Sequence, residues 1–62
     1  MKASELTREH FGREVVVRMD KDRSSGILTA VAHWPDSVTV HISGESGRHI
    51  CCVDVGSEVE VL

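Results

Sequence analysis

Along residues 37–43 the chain alternates without interruption. Val38, Val40 and Ile42 fall on one side, and Thr39, His41 and Ser43 on the other. A period of two predicts a half-buried β-strand with the aliphatic residues inward. Residues 14–19 (Glu-Val-Val-Val-Arg-Met) are rich in β-branched side chains and predict a first strand, with Val15, Val17 and Met19 on one face and Val16 and Arg18 on the other. Gly26 opens a second strand that runs to Ala32. There the pattern changes: Ile27, Thr29 and Val31 point one way, Leu28, Ala30 and Ala32 the other, and both faces are apolar or small. This reads as a strand covered on both sides for part of its length. A strongly bent strand in a closed or nearly closed barrel has that property, and the leading glycine suits a sharp bend.

The connections follow from turn chemistry. Residues 20–25 are a polar loop. His33-Trp34-Pro35-Asp36 is a four-residue tip, because Pro35 ends the ladder and Asp36-Ser37 suits a turn. Gly44-Glu45-Ser46-Gly47 leads into a fourth strand at 48–53. Pairing Gly44 with Arg48 sets Ile42 across from Ile50 and Val40 across from Cys52, and this apolar match is preferred to a two-residue loop. Val53 and Val55 then break the face of Ile50 and Cys52, so a bulge or one helical turn is expected near residues 54–57. Residues 58–62 form a fifth strand with Val59 and Val61 inward. Ahead of the strands, residues 4–10 predict a short helix, with Ser4 as N-cap, Glu5 in the first turn and Gly12 as its stop. Leu6 and either His10 or Phe11 supply its buried side.

Sixty-two residues make one domain, 1–62. A chain this short buries only about 60% of the surface its unfolded form exposes. Its aromatics are Phe11 and Trp34, so the core is built mainly from ten valines. Such domains commonly gain margin from disulfides, a metal or oligomerisation. Cys51 and Cys52 are neighbours, and on a strand they point to opposite faces, so a bond between them is strained. The polar start lacks a signal-peptide pattern, and no apolar run approaches the roughly 20 residues of a membrane helix. We therefore expect a cytoplasmic protein with free thiols, no membrane association, no cofactor, and oligomerisation as its stabiliser. The formal net charge of −3 argues against broad binding to a phosphate backbone, and no double-stranded DNA partner is expected.

Three groups of residues carry candidate chemistry. His33, Trp34 and Asp36 occupy the hairpin tip. An exposed Trp beside Pro35 is an anchor of the kind that dominates interfaces, and it can stack on a base. Alternatively, Trp34 folds back to close one end of an aromatic-poor core. His41, His49 and Cys51 converge in the preferred register as possible zinc ligands; a half-polar sheet face is the competing and favoured reading. Arg13, Arg18, Arg23 and Arg48 are possible anion ligands, set against ordinary surface charge balanced by Glu9, Glu14, Asp20 and Asp22. No nucleophile and base, paired carboxylates or phosphate loop can be placed, so an enzyme is not expected.

The segment Phe11-Gly12-Arg13-Glu14-Val15-Val16-Val17-Arg18-Met19, followed by a polar loop and Gly26-Ile27-Leu28-Thr29-Ala30-Val31, resembles the first half of the Sm-like family. It shares the helix, the Gly-basic pair, the Val-rich strand and Gly-x-Leu opening a bent second strand. The likeness covers residues 4–42 and extends more generally to SH3-like barrels and to the short barrel proteins that phages carry. It implies a short helix and a five-stranded, antiparallel, strongly bent small β-barrel. It also implies rings joined through the fourth and fifth strands, with RNA held by two loops. The RNA positions depart from the pattern. Ala32 and Asp36 stand where the family has Asp and Asn, and Asp54-Val55-Gly56 puts an acid where it has a base. The scaffold and the tendency to assemble carry over; the RNA site does not. The expected function is a non-catalytic binding module that self-associates through strand edges and binds a protein partner. The alternative is an Sm-like oligomer that binds RNA or a small nucleotide.

Overall fold

The computed structural model describes residues 1–19 and 21–62. Asp20, in the expected polar loop, lies outside the described residues. Five strands form one antiparallel sheet: β1 (Glu14–Arg18), β2 (Arg23–His33), β3 (Ser37–Gly44), β4 (Gly47–Asp54) and β5 (Val59–Val61). Their order across the sheet is β4-β3-β2-β1-β5. The mainly β, antiparallel, five-stranded expectation holds. β2 begins earlier than expected, because Arg18 already pairs with Arg23 and the Met19 N–H donates to the Asp22 carbonyl at 2.8 Å.

The expected helix over residues 4–10 is corrected to two 3-10 turns, Ala3–Glu5 and Arg8–His10. Leu6 and Thr7 between them are extended, with φ −69°, ψ 136° and φ −135°, ψ 175°. A helix this short cannot hold itself together without tertiary help, and here the tertiary contacts favour the break. Extended Leu6 drives its side chain fully into the core. Thr7, rather than Ser4, does the capping: its Oγ1 accepts from the Glu9 N–H at 3.3 Å, and its own N–H donates to His10 Nδ1 at 3.0 Å.

The two-faced pattern of β2 has a different cause from the one expected. Leu28 pairs with Ile42, but Ala30 pairs with His41, so Thr29 is an extra residue on β2. This is a β-bulge, and Thr29 Oγ1 fastens it by donating to the His41 carbonyl at 3.2 Å. Before the bulge the even positions face the core: Leu28 is fully buried while Ile27 is exposed. After it the odd positions do: Val31 lies across from Val40 and packs against the core. The strand is not covered on both sides. It changes phase.

The expected barrel is corrected to an open sheet. β4 and β5 are its two edges, and they do not pair with each other among the described residues. β5 is only three residues long, and the N-terminal segment takes its outer edge. The Val59 N–H donates to the Met1 carbonyl at 2.7 Å, the Ala3 N–H donates to the Ser57 carbonyl at 2.8 Å, and Lys2 bridges Glu58. The sheet still curls enough for residues at the ends of β1 and β4 to line one cleft. Ala3 and Leu6 cover the concave face and complete a core of Val15, Val17, Leu28, Val38, Val40, Ile42 and Val59, with Cys51 and Val53 at its margin. Each fully buried aliphatic side chain there contributes roughly 1.5–3 kcal/mol. Neither aromatic belongs to this core.

Gly26 is required by close approach. A Cβ at this position meets the Ser43 carbonyl oxygen at 2.7 Å and its carbon at 3.0 Å. Gly26→Ala is expected to lose about 1–3 kcal/mol in urea unfolding, as overpacking against a fixed backbone does. Gly56→Ala, where a Cβ meets nothing within 4 Å, is expected to change stability by less than about 0.5 kcal/mol. Equal effects at the two sites would contradict the close approach.

Candidate functional site

The β2–β3 tip is shorter than expected, because β2 extends through His33. The Trp34 N–H donates to the Ser37 carbonyl at 2.9 Å and closes the turn. Trp34 Nε1 donates to Thr39 Oγ1, also at 2.9 Å. Thr39 pairs with Ala32 on one side and exposed Cys52 on the other, so the indole lies against the outer, convex face of the sheet. It is 56% exposed and does not close the core. His33 is in the core-facing phase. Its Nε2 sits 2.9 Å from the Leu6 carbonyl, an acceptor, so this nitrogen carries the proton and donates it. His33 thereby ties the end of β2 to the N-terminal segment and has a structural role. Asp36 is exposed in the turn.

The β3–β4 register differs by one residue from the preferred one. Gly44 pairs with Gly47 across a two-residue Glu45–Ser46 loop, which sets Val40 against Cys51, His41 against Ile50 and Ile42 against His49. Gly47 has φ +113°, a conformation that glycine adopts without the penalty a Cβ imposes. A shift of one residue exchanges faces. Cys51 and Val53 therefore turn inward, while Ile50 (68% exposed) and Cys52 turn out. Val53 then fits the core without a bulge, and the chain leaves β4 by a simple turn in which the Ser57 N–H donates to the Asp54 carbonyl at 3.0 Å.

The same shift separates the possible zinc ligands. His41 stands on the outer face, whereas His49 and Cys51 share the core-facing side. His49 Nε2 lies 3.0 Å from Ser46 Oγ. No group of three His, Cys, Asp or Glu residues able to hold a metal occurs among the described residues.

Of the four arginines, only Arg18 and Arg23 are brought together. Arg18 reaches Glu60 Oε1 at 3.1 Å, and both side chains are solvated. Arg13 precedes β1 at its far end, roughly 17 Å away at strand rise. Arg48 opens β4, three strand spacings from β1, on the order of 14 Å along the sheet. Arg23 pairs with Arg18 across β1–β2. Arg18 lines the cleft, of about 480 Å³, with Met19, Cys52, Val53, Asp54, Ser57 and Glu58. Among the described residues, no helix is long and apolar enough to cross a membrane.

What the structure does assemble is an outer face and an edge. The rows Ala32–Thr39–Cys52 and Ala30–His41–Ile50 run across β2, β3 and β4, with Trp34 laid over Thr39. Ile50 and Cys52 were not expected on this face, and the misplacement came entirely from the length of the Gly44–Gly47 turn. The edge follows from hydrogen-bond alternation. The Ser37 carbonyl bonds toward β2, so odd-numbered residues of β3 serve β2 and even-numbered ones serve β4. Their partners Gly47, His49, Cys51 and Val53 use their groups on β3. Those of Arg48, Ile50 and Cys52 point to the open side, and no further backbone hydrogen bond engages them among the described residues.

Thr39→Val removes the acceptor of the indole. It is expected to red-shift the emission of Trp34, the only Trp of the chain, and to raise its quenching by acrylamide, with a stability loss near 1 kcal/mol. Unchanged emission and quenching would mean that Thr39 does not orient the ring. No family model, curated protein or solved structure matches this chain.

Proposed function

We propose that the chain is a non-catalytic binding module that self-associates through a strand edge and binds a protein partner on the outer face beside it. The observation that carries this reading is the state of β4. It is an eight-residue edge strand whose outward backbone groups at Arg48, Ile50 and Cys52 have no partner among the described residues and whose central outward side chain, Ile50, is 68% exposed. Such an edge is a template for pairing unless it is blunted by charge, proline or a bulge. At its centre β4 has none of these. Its register with β3 runs unbroken from Ser37–Asp54 to Gly44–Gly47.

The outer face supports the second half of the reading. Trp34 is amphipathic, exposed and held in one orientation by its bond to Thr39. An aromatic anchor that is already ordered loses little freedom on binding. Ile50 and Cys52 extend the same face toward the edge. The RNA or nucleotide alternative has less support, because Arg13, Arg18 and Arg48 lie on different parts of the sheet and Arg18 is engaged by Glu60.

Light scattering at micromolar concentration is expected to give a mass above the 6.8 kDa of one chain. Ile50→Lys places a charge at the centre of the edge and is expected to return the mass to that of one chain while the circular dichroism spectrum stays unchanged. A wild-type protein that remains a single chain across the micromolar range would refute the self-association reading.

A further inference from the structure

We infer that two copies pair β4 against β4 in antiparallel fashion about a two-fold axis at Cys51, and so form one continuous sheet across the dimer. The inference rests on the self-association reading and specifies its partner, register and symmetry.

Three observations lead to it. First, the two edges are not equivalent. The outer edge of β5 is occupied at residues 57–59 by the N-terminal segment, through the Val59 to Met1 and Ala3 to Ser57 hydrogen bonds. That leaves little for a head-to-tail contact between β4 and β5, whereas β4 offers its full length. An edge that pairs with its own copy makes a closed, two-fold interface.

Second, the parity of the ladder restricts the register. The outward backbone groups belong to Arg48, Ile50 and Cys52 and to the N–H of Asp54, whose carbonyl is used by Ser57. Directly opposed residues in an antiparallel pair exchange hydrogen bonds at alternate positions, so even-numbered residues must oppose even-numbered ones. With the axis at Cys51, Ile50 faces the partner's Cys52 and Arg48 faces the partner's Asp54. Each Ile50–Cys52 pair supplies two hydrogen bonds and each Arg48–Asp54 pair one, about six in all. An axis at Ile50 pairs Arg48 with the partner's Cys52. An axis at Cys52 pairs Asp54 with the partner's Ile50. The first keeps about six hydrogen bonds and the second about four, and both set a charge against an apolar or thiol side chain.

Third, the charges are complementary only in this arrangement. Arg48 and Asp54 are exposed, and neither forms an ion pair with a described residue. Six residues of strand separate them within one chain, roughly 20 Å, so they cannot meet in the same copy. Across the axis they meet twice. Directly opposed unlike charges on paired strands are stabilising, and like charges are destabilising. The partner's Arg48 also arrives at the mouth of the cleft that holds Asp54 and Glu58, where Arg18 is already bound to Glu60.

The axis leaves a chemical signature. The backbone groups of Cys51 face β3, so Cys51 and the partner's Cys51 form a non-hydrogen-bonded pair with Cα atoms about 4.5 Å apart on the core-facing side. That distance lies within the range a disulfide spans. Diamide, which accepts the two electrons and two protons released, is expected to convert Cys52→Ala to a covalent dimer while Cys51→Ala stays largely unlinked. In the reduced protein, Arg48→Asp and Asp54→Arg are each expected to weaken dimerisation at least about tenfold, and the double variant Arg48→Asp/Asp54→Arg to restore it. Crosslinking through Cys52 instead of Cys51, or charge reversals without effect on a protein that still self-associates, would overturn the register and leave the broader reading standing. A wild-type protein that stays a single chain would overturn both.

Discussion

The bulge at Thr29 is the constraint on which the rest of the sheet depends. β2 joins the two halves of the sheet, pairing with β1 through residues 23–27 and with β3 through residues 27–33. A single phase along it would present Leu28 to the core but turn Val31 and His33 away. One inserted residue resets the phase, so Leu28 serves the first half of the core and Val31 the second. His33 then reaches the Leu6 carbonyl, which brings the N-terminal segment over the concave face. Bulges also increase local twist and bend a strand, and the close approach of Gly26 to the Ser43 backbone lies at that bend. Core, curvature and N-terminal cover are thus consequences of one backbone irregularity.

That cover has an unequal effect on the two edges. The residues that place Leu6 in the core also run alongside β5 and occupy its outward groups. One edge is protected by the chain itself, and the other is left long, regular and apolar at its centre. In a domain too small for a large core, the proposed self-association would add apolar burial from outside the chain, at the open edge of β4. The exposed Ile50 and the oriented Trp34 lie toward the same side of the molecule, so the proposed added strand and docked partner would draw on one continuous surface.

Much of this was legible in the sequence, and what was not had specific physical causes. Strand identities, the inward set Val15, Val17, Val38, Val40, Ile42, Val59 and the opposed cysteines follow from period-two alternation, which local residues fix. The phase change in β2 was visible as two apolar faces, but that pattern fits a strand covered on both sides as well as it fits a bulge; the cross-strand partners distinguish them. The β3–β4 register was decided by matching Ile42 with Ile50, a pairwise criterion. The fold instead satisfies a collective one, in which Cys51 and Val53 complete the core. The helix over residues 4–10 was read from capping residues, but propensity in so short a segment is weaker than the gain from burying Leu6.

The site depends on that register in the same way. With a three-residue loop, Ile50 and Cys52 would be interior, His41 and Cys51 would share the outer face, and the surface would read as a metal-ligand cluster. With the two-residue loop the outer face becomes apolar at the edge and the histidines part. Exposing Ile50 forgoes roughly 1.5–3 kcal/mol of burial. The better-matched pairing of Ile42 with Ile50 would have recovered it, yet the core takes the smaller Cys51 in its place. Within one chain Val53 offsets that exchange, because the same register carries it into the core beside Cys51. The proposed β4–β4 pairing adds to this, because it sets Ile50 opposite the partner's Cys52, one residue from the axis.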